Sequence, residues 1–352
     1  MKKSTIATVI AAVSFGSVAA EPITDINDFF AADGVVVERS EFPMFETAKQ
    51  MLNRQSAVGV NNFVHNRTLT PTDDQPVVRM NRDVYYSLGV ANVGKGATLT
   101  MPELPEGKYL SFQVVPEDHR TQEMVYGGGT FELTTHTGDY VYIIVRMDAT
   151  LSEEEAKMYQ DQMIINSNDD TPFSWDTAVN KESFDAMEAS LKRDGGKFIQ
   201  EFGAAEFFGA GFNNPEDASA EKFIEEAWLT ASAIGWGGAQ SVDNFYEVGG
   251  NMPADGCYKL TFEDPENKAF WSVTAYNANG FMFSDTANIN SLSAPANEDG
   301  SYSVHFGCEG ETNNLPIENA TGQWNAAFRH YQPTEKVTEE GYRVLPLIEK
   351  VK

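Results

Sequence analysis

Arg79-Met80-Asn81-Arg82-Asp83 stands directly ahead of Val84-Tyr85-Tyr86-Ser87-Leu88, so charged and amide groups run into a strand-like segment. Strand side chains alternate between faces. Read as one strand, 78–88 puts Arg79, Asn81, Asp83, Tyr85 and Ser87 on one face and Val78, Met80, Arg82, Val84, Tyr86 and Leu88 on the other. The first face offers a guanidinium, an amide, a carboxylate and a phenol, a set that can hydrogen-bond a polar small molecule or a glycan. Asp83 is its one acid and the candidate for a catalytic carboxylate. Arg82 falls on the apolar face, where an unpaired guanidinium is costly. It is therefore expected as a buried structural anchor facing a carboxylate or several carbonyls. On this register Arg82→Ala should harm folding more than Asp83→Asn.

A second set lies in FWSVTAYN at 270–277. Trp271, Val273 and Ala275 share one face and read as core; Phe270, Ser272, Thr274 and Tyr276 share the other. Aromatic rings interleaved with hydroxyls suit an amphipathic ligand, which wants stacking and hydrogen bonds. Tyr276 joins the ligand-binding candidates on that basis. Trp236, in Gly235-Trp236-Gly237-Gly238, reads as a structural indole packed where a helix stops.

The familiar catalytic constellations are missing: no GxSxG elbow, HExxH, P-loop or CxxC occurs, so nucleophilic and zinc hydrolysis have no sequence support. The five histidines, His65, His119, His136, His305 and His330, are dispersed. Glu117 and His119 share a face if that segment is a strand, which is too little for a metal centre. No metal and no cofactor is expected. Cys257 and Cys308 are the two cysteines, and one disulfide between them is expected, worth about 3–4 kcal/mol by closing a long loop.

Residues 1–20 have a basic start (Lys2, Lys3), an apolar middle and a small-residue end, the pattern of a signal peptide cut after Ala20. The expectation is a soluble periplasmic or secreted protein. Its formal net charge is −27, from 25 basic and 52 acidic residues. Such a surface repels phosphate backbones and anionic headgroups, so nucleic-acid binding and membrane insertion are not expected. A salty habitat would account for the acidity by screening its self-repulsion.

The periodicities change twice along the chain. Two short helices are expected at 23–30 and 43–60, and strand-length runs separated by Gly, Pro and Asp clusters fill about 60–150, completing an N-terminal β domain over 21–150. Residues 151–234 read as helical: Ser152 and Glu155 form a capping box, a Gly-Gly break is expected at 195–196, and Phe223, Ile224, Ala227, Trp228, Ala231 and Ile234 make an apolar stripe. Strand patterns return over 235–352, with Asn277-Ala278-Asn279-Gly280 as a hairpin turn. The fold class is α+β, mainly β: two antiparallel β-sandwich or jelly-roll-like units joined by a helical segment that packs both into one body.

These runs also carry a family resemblance. Asn81-Arg82-Asp83-Val84-Tyr85-Tyr86-Ser87 resembles the NRDTxYS signature of proteins with paired domains of unknown function, DUF1254 and DUF1214. GWGG at 235–238, FWSVTAYNANGFMF at 270–283, EDGSYSVHF at 298–306, NNLPI at 313–317 and RHYQP at 329–333 are similar, in order, to the second domain. The chain departs from it at Asn314, where the family shows Trp, and over 285–292, DTANINSL, where the family shows an Asn-Pro…Arg-Tyr run. The resemblance implies a β-rich envelope or secreted protein and names no reaction. Two functions follow: an exported protein that binds, or processes, a small molecule or glycan in or between the β units; or a non-catalytic envelope protein that works through protein–protein contacts. A site joining Asp83 or Tyr85 to Tyr276 favours the first, and a broad exposed apolar patch favours the second.

Overall fold

The computed structural model describes residues 21–75 and 78–351; the expected signal peptide lies outside the described residues. The N-terminal unit contains β1 (Phe30–Val35), α1 (Phe42–Val58), β2 (Asn62–His65), β3 (Val84–Asn92), β4 (Ala97–Met101), β5 (Leu110–Pro116), β6 (Val125–Tyr126), β7 (Gly129–Leu133), β8 (Tyr140–Asp148), α2 (Glu153–Gln160) and β9 (Ile164–Ser167). Helices α3 (Lys181–Phe202), α4 (Ala204–Ala210) and α5 (Glu225–Ile234) follow. The C-terminal unit contains β10 (Asn244–Val248), β11 (Met252–Pro253), β12 (Tyr258–Phe262), β13 (Phe270–Asn277), β14 (Asn288–Asn290), β15 (Tyr302–Phe306), β16 (Asn314–Leu315), β17 (Gln323–Tyr331), α6 (Glu335–Thr338) and β18 (Glu349–Lys350).

Each unit is a pair of sheets around its own core. In the first, the sheet β2-β3-β8-β5-β6 packs on β7-β4-β9. Alternate residues of its central strands, among them Tyr85, Val145, Met147 and Phe112, bury with Leu99 and Ile165 of the smaller sheet. In the second, the sheet β10-β17-β13-β14, with β11 at its side, packs on β16-β15-β12-β18. Trp271, Val273 and Ala275 face inward there with Trp324 and Phe328, as their alternation predicts. Among the described residues the paired strands run antiparallel except β15 with β16, and Phe30 and Val35 of β1 make isolated parallel bridges to Val179. Cys257 and Cys308 form a disulfide across 51 residues of sequence.

The first part of the 151–234 segment folds with the N-terminal unit rather than as a connector. Ser152 caps α2 through the reciprocal pair with Glu155, and β9 then joins the smaller sheet beside β4. Leu151, Ala156, Met163 and Ile165 all enter that core. The remaining helices bind the units together. Leu191 and Leu229 pack with α1 and with Val90, Tyr142 and Ile144 of the large N-terminal sheet. Phe208 of α4 sets its ring 5.4 Å from Tyr246 of β10. Trp236 donates to the Thr47 hydroxyl at 3.0 Å and stacks on His119, so it is a packed indole. Among the described residues no helix is long and apolar enough to cross a membrane.

The expected break at Gly195-Gly196 does not occur: α3 runs through both. Gly195 serves close approach instead. A Cβ built there would sit 2.5 Å from Ile234 Cδ1 and 2.9 Å from Thr230 Cβ, both on α5, whereas at Gly196 it would meet nothing within 4 Å. Gly195→Ala should therefore destabilise by about 1–3 kcal/mol through overpacking. Gly196→Ala should stabilise by about 0.5–1 kcal/mol through helix propensity. Urea melts of the two variants check the opposite signs.

Candidate functional site

The stretch 78–83 is a turn, not the start of β3. Arg79 has φ 59°, and its amide donates to the Gly280 carbonyl at 2.8 Å, docking this turn on the one at 277–280. Asn81 folds back on its own chain: its Oδ1 accepts from the Asp83 amide at 3.1 Å and its Nδ2 donates to the Tyr86 hydroxyl at 3.1 Å. Alternation therefore begins at Val84, and the two expected faces change places.

Arg82 lies at the margin of the structure, its side chain 19% exposed. It donates to the Thr70 carbonyl at 2.6 Å and pairs with Asp285 at 3.1 Å, a carboxylate that is itself 66% exposed. Asp83 is the buried residue, with no exposed surface. Its Oδ2 accepts from Ser272 Oγ at 2.6 Å and from the Tyr331 hydroxyl at 2.8 Å, and its Oδ1 accepts from Asn288 Nδ2 at 2.9 Å. All three donors belong to the C-terminal unit. A carboxylate sealed in this way cannot reach a substrate, so the catalytic candidacy of Asp83 is withdrawn. It is a tie between the two units.

The other expected ligand contacts are distributed differently too. Tyr85 points into the N-terminal core and donates to the Leu151 carbonyl at 3.2 Å, because it follows the buried-core register of β3. Tyr276 is fully buried at the seam, donating to the Met80 carbonyl at 2.8 Å and accepting from Arg329 Nη2 at 2.6 Å. Arg79 donates to Asn325 Oδ1 at 2.9 Å. Arg79, Asn81, Asp83 and Tyr276 thus come together as expected, but their polar atoms are spent on one another and on the chain.

Next to them is a polar layer made by two facing sheets. Across the N-terminal sheet, Tyr86 pairs with Arg146 and Arg146 with Ser111, which pairs with Tyr126. Across the C-terminal sheet, Tyr246 pairs with Arg329 and Arg329 with Ser272, which pairs with Asn290. Each sheet thus carries one arginine on an interior strand, β8 and β17, turned toward the seam. Below this layer Phe270 and Tyr331 stack at 4.0 Å, and Tyr109 meets both edge-on, closing the seam with apolar contact.

The two arginines are satisfied very differently. Arg329 donates to Thr274 Oγ1 at 3.0 Å, to the Arg79 carbonyl at 2.8 Å and to Tyr276, with the Asp83 charge nearby. Arg146 is only 6% exposed. Among the described residues its single partner is the Met124 sulfur at 3.8 Å, a weak acceptor, and no carboxylate lies within ion-pair distance. Among the described residues its other two guanidinium nitrogens have no acceptor. The titratable groups near enough to act on its charge are Tyr86, Tyr246, Tyr109 and Tyr331, with Asp243. Burial pushes the phenols of Tyr109, Tyr246 and Tyr331 up, so they stay neutral and cannot offset its charge. Asp243, the acid on this side, already accepts from the Met124 amide at 2.8 Å and from Tyr126 at 2.7 Å; burial raises its pKa.

Tyr86, Tyr126 and Tyr246, at the edge of this layer, are half-buried rather than sealed. Arg146 and these tyrosines were missed by sequence reasoning. For Arg146 the signal was a lone arginine inside the apolar run VYIIVRM of Tyr140–Asp148; Arg329 stands in a more polar strand, Gln323–Tyr331, beside His330 and with Asn325. No group of His, Cys, Asp and Glu among the described residues is arranged to hold a metal ion. Glu117 caps the amides of Asp139 and Tyr140 while His119 accepts from the Gly237 amide, so the two diverge.

These features define a class: a protein of two β-sandwiches held by helices, with a polar seam between them. Residues 60–175 match the family described as "Protein of unknown function (DUF1254)", and residues 247–335 match "Protein of unknown function (DUF1214)". The chain belongs to the family that carries these two domains together. No functionally curated protein matches it. The fold is similar to that of the VPA0106 protein from Vibrio parahaemolyticus, with a TM-score of 0.64 at 16% identity over 89% of this chain and 98% of that one. An uncharacterised protein from Burkholderia cenocepacia aligns with a TM-score of 0.46 at 14% identity, over 89% of this chain and 86% of its own.

The exchange of faces makes an energetic prediction. Asp83→Asn sets an amide donor against the Asn288 amide and removes charge-assisted bonds, at a cost of about 3 kcal/mol. Arg82→Ala loses one carbonyl partner and an exposed ion pair, at a cost of about 1 kcal/mol. Chemical denaturation of both variants should rank Asp83→Asn as the more damaging.

Proposed function

We propose that the protein is an exported binding protein that takes a small molecule, or part of a glycan, into the seam between its two β units. The observation that carries this reading is the polar layer itself. Two sheets that merely held each other would meet through apolar side chains. Here Tyr86, Arg146, Ser111 and Tyr126 face Tyr246, Arg329 and Ser272, with three tyrosines partly open to solvent. Ligand sites favour junctions between domains, and phenols supply both apolar walls and hydrogen bonds. Export is supported by the signal-like residues 1–20 and by the Cys257–Cys308 disulfide, which suits an oxidising compartment. No reaction is assigned, because the nearest carboxylates, Asp83 and Asp243, are already engaged.

A thermal-shift screen of metabolites and oligosaccharides on the mature chain tests this. A ligand present at 100 times its Kd adds about 2.7 kcal/mol to the folded state. The shift should fall sharply in Tyr246→Ala, which opens the wall of the seam, and persist in Ile164→Ser on the distant β9. Ligands whose stabilisation survives Tyr246→Ala unchanged would place binding elsewhere and overturn the reading.

A further inference from the structure

Arg146 is an energetic anomaly as it stands. A guanidinium stays charged in a protein, and leaving it 6% exposed with no anion in direct contact among the described residues, Asp243 acting only from beyond ion-pair distance, is unfavourable. Structural arginines in this same chain do not look like that. Arg329, at the matching place in the opposite sheet, has three oxygen acceptors. Arg82 has a carbonyl and a carboxylate. Arg146 has a thioether.

We infer, resting on the binding reading above, that the seam recognises the carboxylate of a monoanionic organic acid and that Arg146 is its ion-pair partner. The guanidinium fork offers parallel N–H donors that match a carboxylate in two-point contact. Tyr86, the cross-strand neighbour of Arg146, and Tyr246 accept from Asn81 and Asn244, which among the described residues leaves each phenol proton free to be donated to a ligand oxygen. Their rings give the body of the acid apolar surface. A single negative charge fits better than two. In the seam only one guanidinium is uncommitted among the described residues, and the Asp243 carboxylate already acts on it, so a dianion such as a phosphate monoester would meet like charge there. The rest of the molecule points the same way. A chain of net charge −27 repels anions at long range, so a short-range, desolvated contact must supply the attraction. Affinity should consequently rise or hold as salt is raised to physiological strength, the reverse of binding to a basic surface.

The test is calorimetric titration and thermal shift with acetate, hexanoate, benzoate and 4-hydroxybenzoate, each beside its primary amide, with inorganic phosphate and sulfate as further probes. The expected result is that at least one acid raises the melting temperature and binds at least tenfold more tightly than its amide. Arg146→Met should abolish that difference while melting, without ligand, close to the parent temperature, because relieving the desolvation of Arg146 offsets the support its charge gives Asp243. Tyr86→Phe, which keeps the ring, should weaken the acid several-fold and leave the fold intact. Amides that bind as well as acids, with Tyr246→Ala still blocking both, would overturn the carboxylate assignment and leave the small-molecule reading standing. Phosphate or sulfate outdoing every acid would overturn the monoanion. An Arg146→Met variant that melts well below the parent would make Arg146 a structural residue and overturn the inference. No shift from any acid, with no hit in the broader screen, would sink both.

Discussion

The carboxylate of Asp83 is the constraint on which the arrangement of the two β units depends. It projects from the N-terminal unit and receives three hydrogen bonds, from Ser272, Asn288 and Tyr331, on three strands of the C-terminal unit. Hydrogen bonds to a charged acceptor are worth more than neutral ones, and more again away from water. An ion with no exposed surface tolerates little displacement, because each lost donor leaves desolvated charge behind. Asp83 therefore fixes β13, β14 and β17 relative to the end of β3 and, through them, the spacing of the polar layer.

That spacing explains the unequal treatment of Arg329 and Arg146. Turn 78–83 descends on the C-terminal sheet, bringing the Arg79 carbonyl to Arg329 and the Met80 carbonyl to Tyr276. Nothing equivalent descends on Arg146, where Tyr86, Tyr109, Tyr246 and Tyr331 are neutral phenols and Asp243 acts only from beyond ion-pair distance. One half of the seam is thus welded and the other half is left with donors to spare. A binding site built beside a rigid tie can hold its donors in place before the ligand arrives, which limits the ordering cost of binding. Helix α4, through Phe208 against Tyr246, sets one wall of the open half from outside either sheet.

Much of this was legible in the sequence, and the failures have specific causes. Alternation gave the strands and the inward face of β13 correctly because those segments are regular and half of each is core. The capping box on α2 and the helices α1 and α5 carried equally local signals. The register of 78–83 was misread because one left-handed residue, Arg79, and one Asx-type turn at Asn81 interrupt the alternation, and neither leaves a clear mark in residue type. Tyr85 and Tyr86 exchanged roles as a consequence. Gly195 looked like a helix break because propensity was weighed without the neighbouring helix that needs the missing side chain. Arg146 was passed over because a strand pattern reports which residues alternate, not whether a charged member finds a partner. Glu247 was invisible for a similar reason: buried in β10, it accepts from His330 and from the amides of Val344 and Leu345, pinning the C-terminal segment by contacts remote in sequence.

The central claim is that Asp83 ties the units through bonds to the opposite sheet, and a double-mutant cycle tests it most directly. Unfolding free energies would be measured for the parent, Asp83→Asn, Tyr331→Phe and the double variant. If the carboxylate and the phenol stabilise the fold through each other, the single costs should exceed the double by about 1.5–3 kcal/mol, the range for a hydrogen bond to a charged group. Costs that add to within about 0.5 kcal/mol would mean the two residues act independently, and Asp83 would no longer account for how the two β units are held.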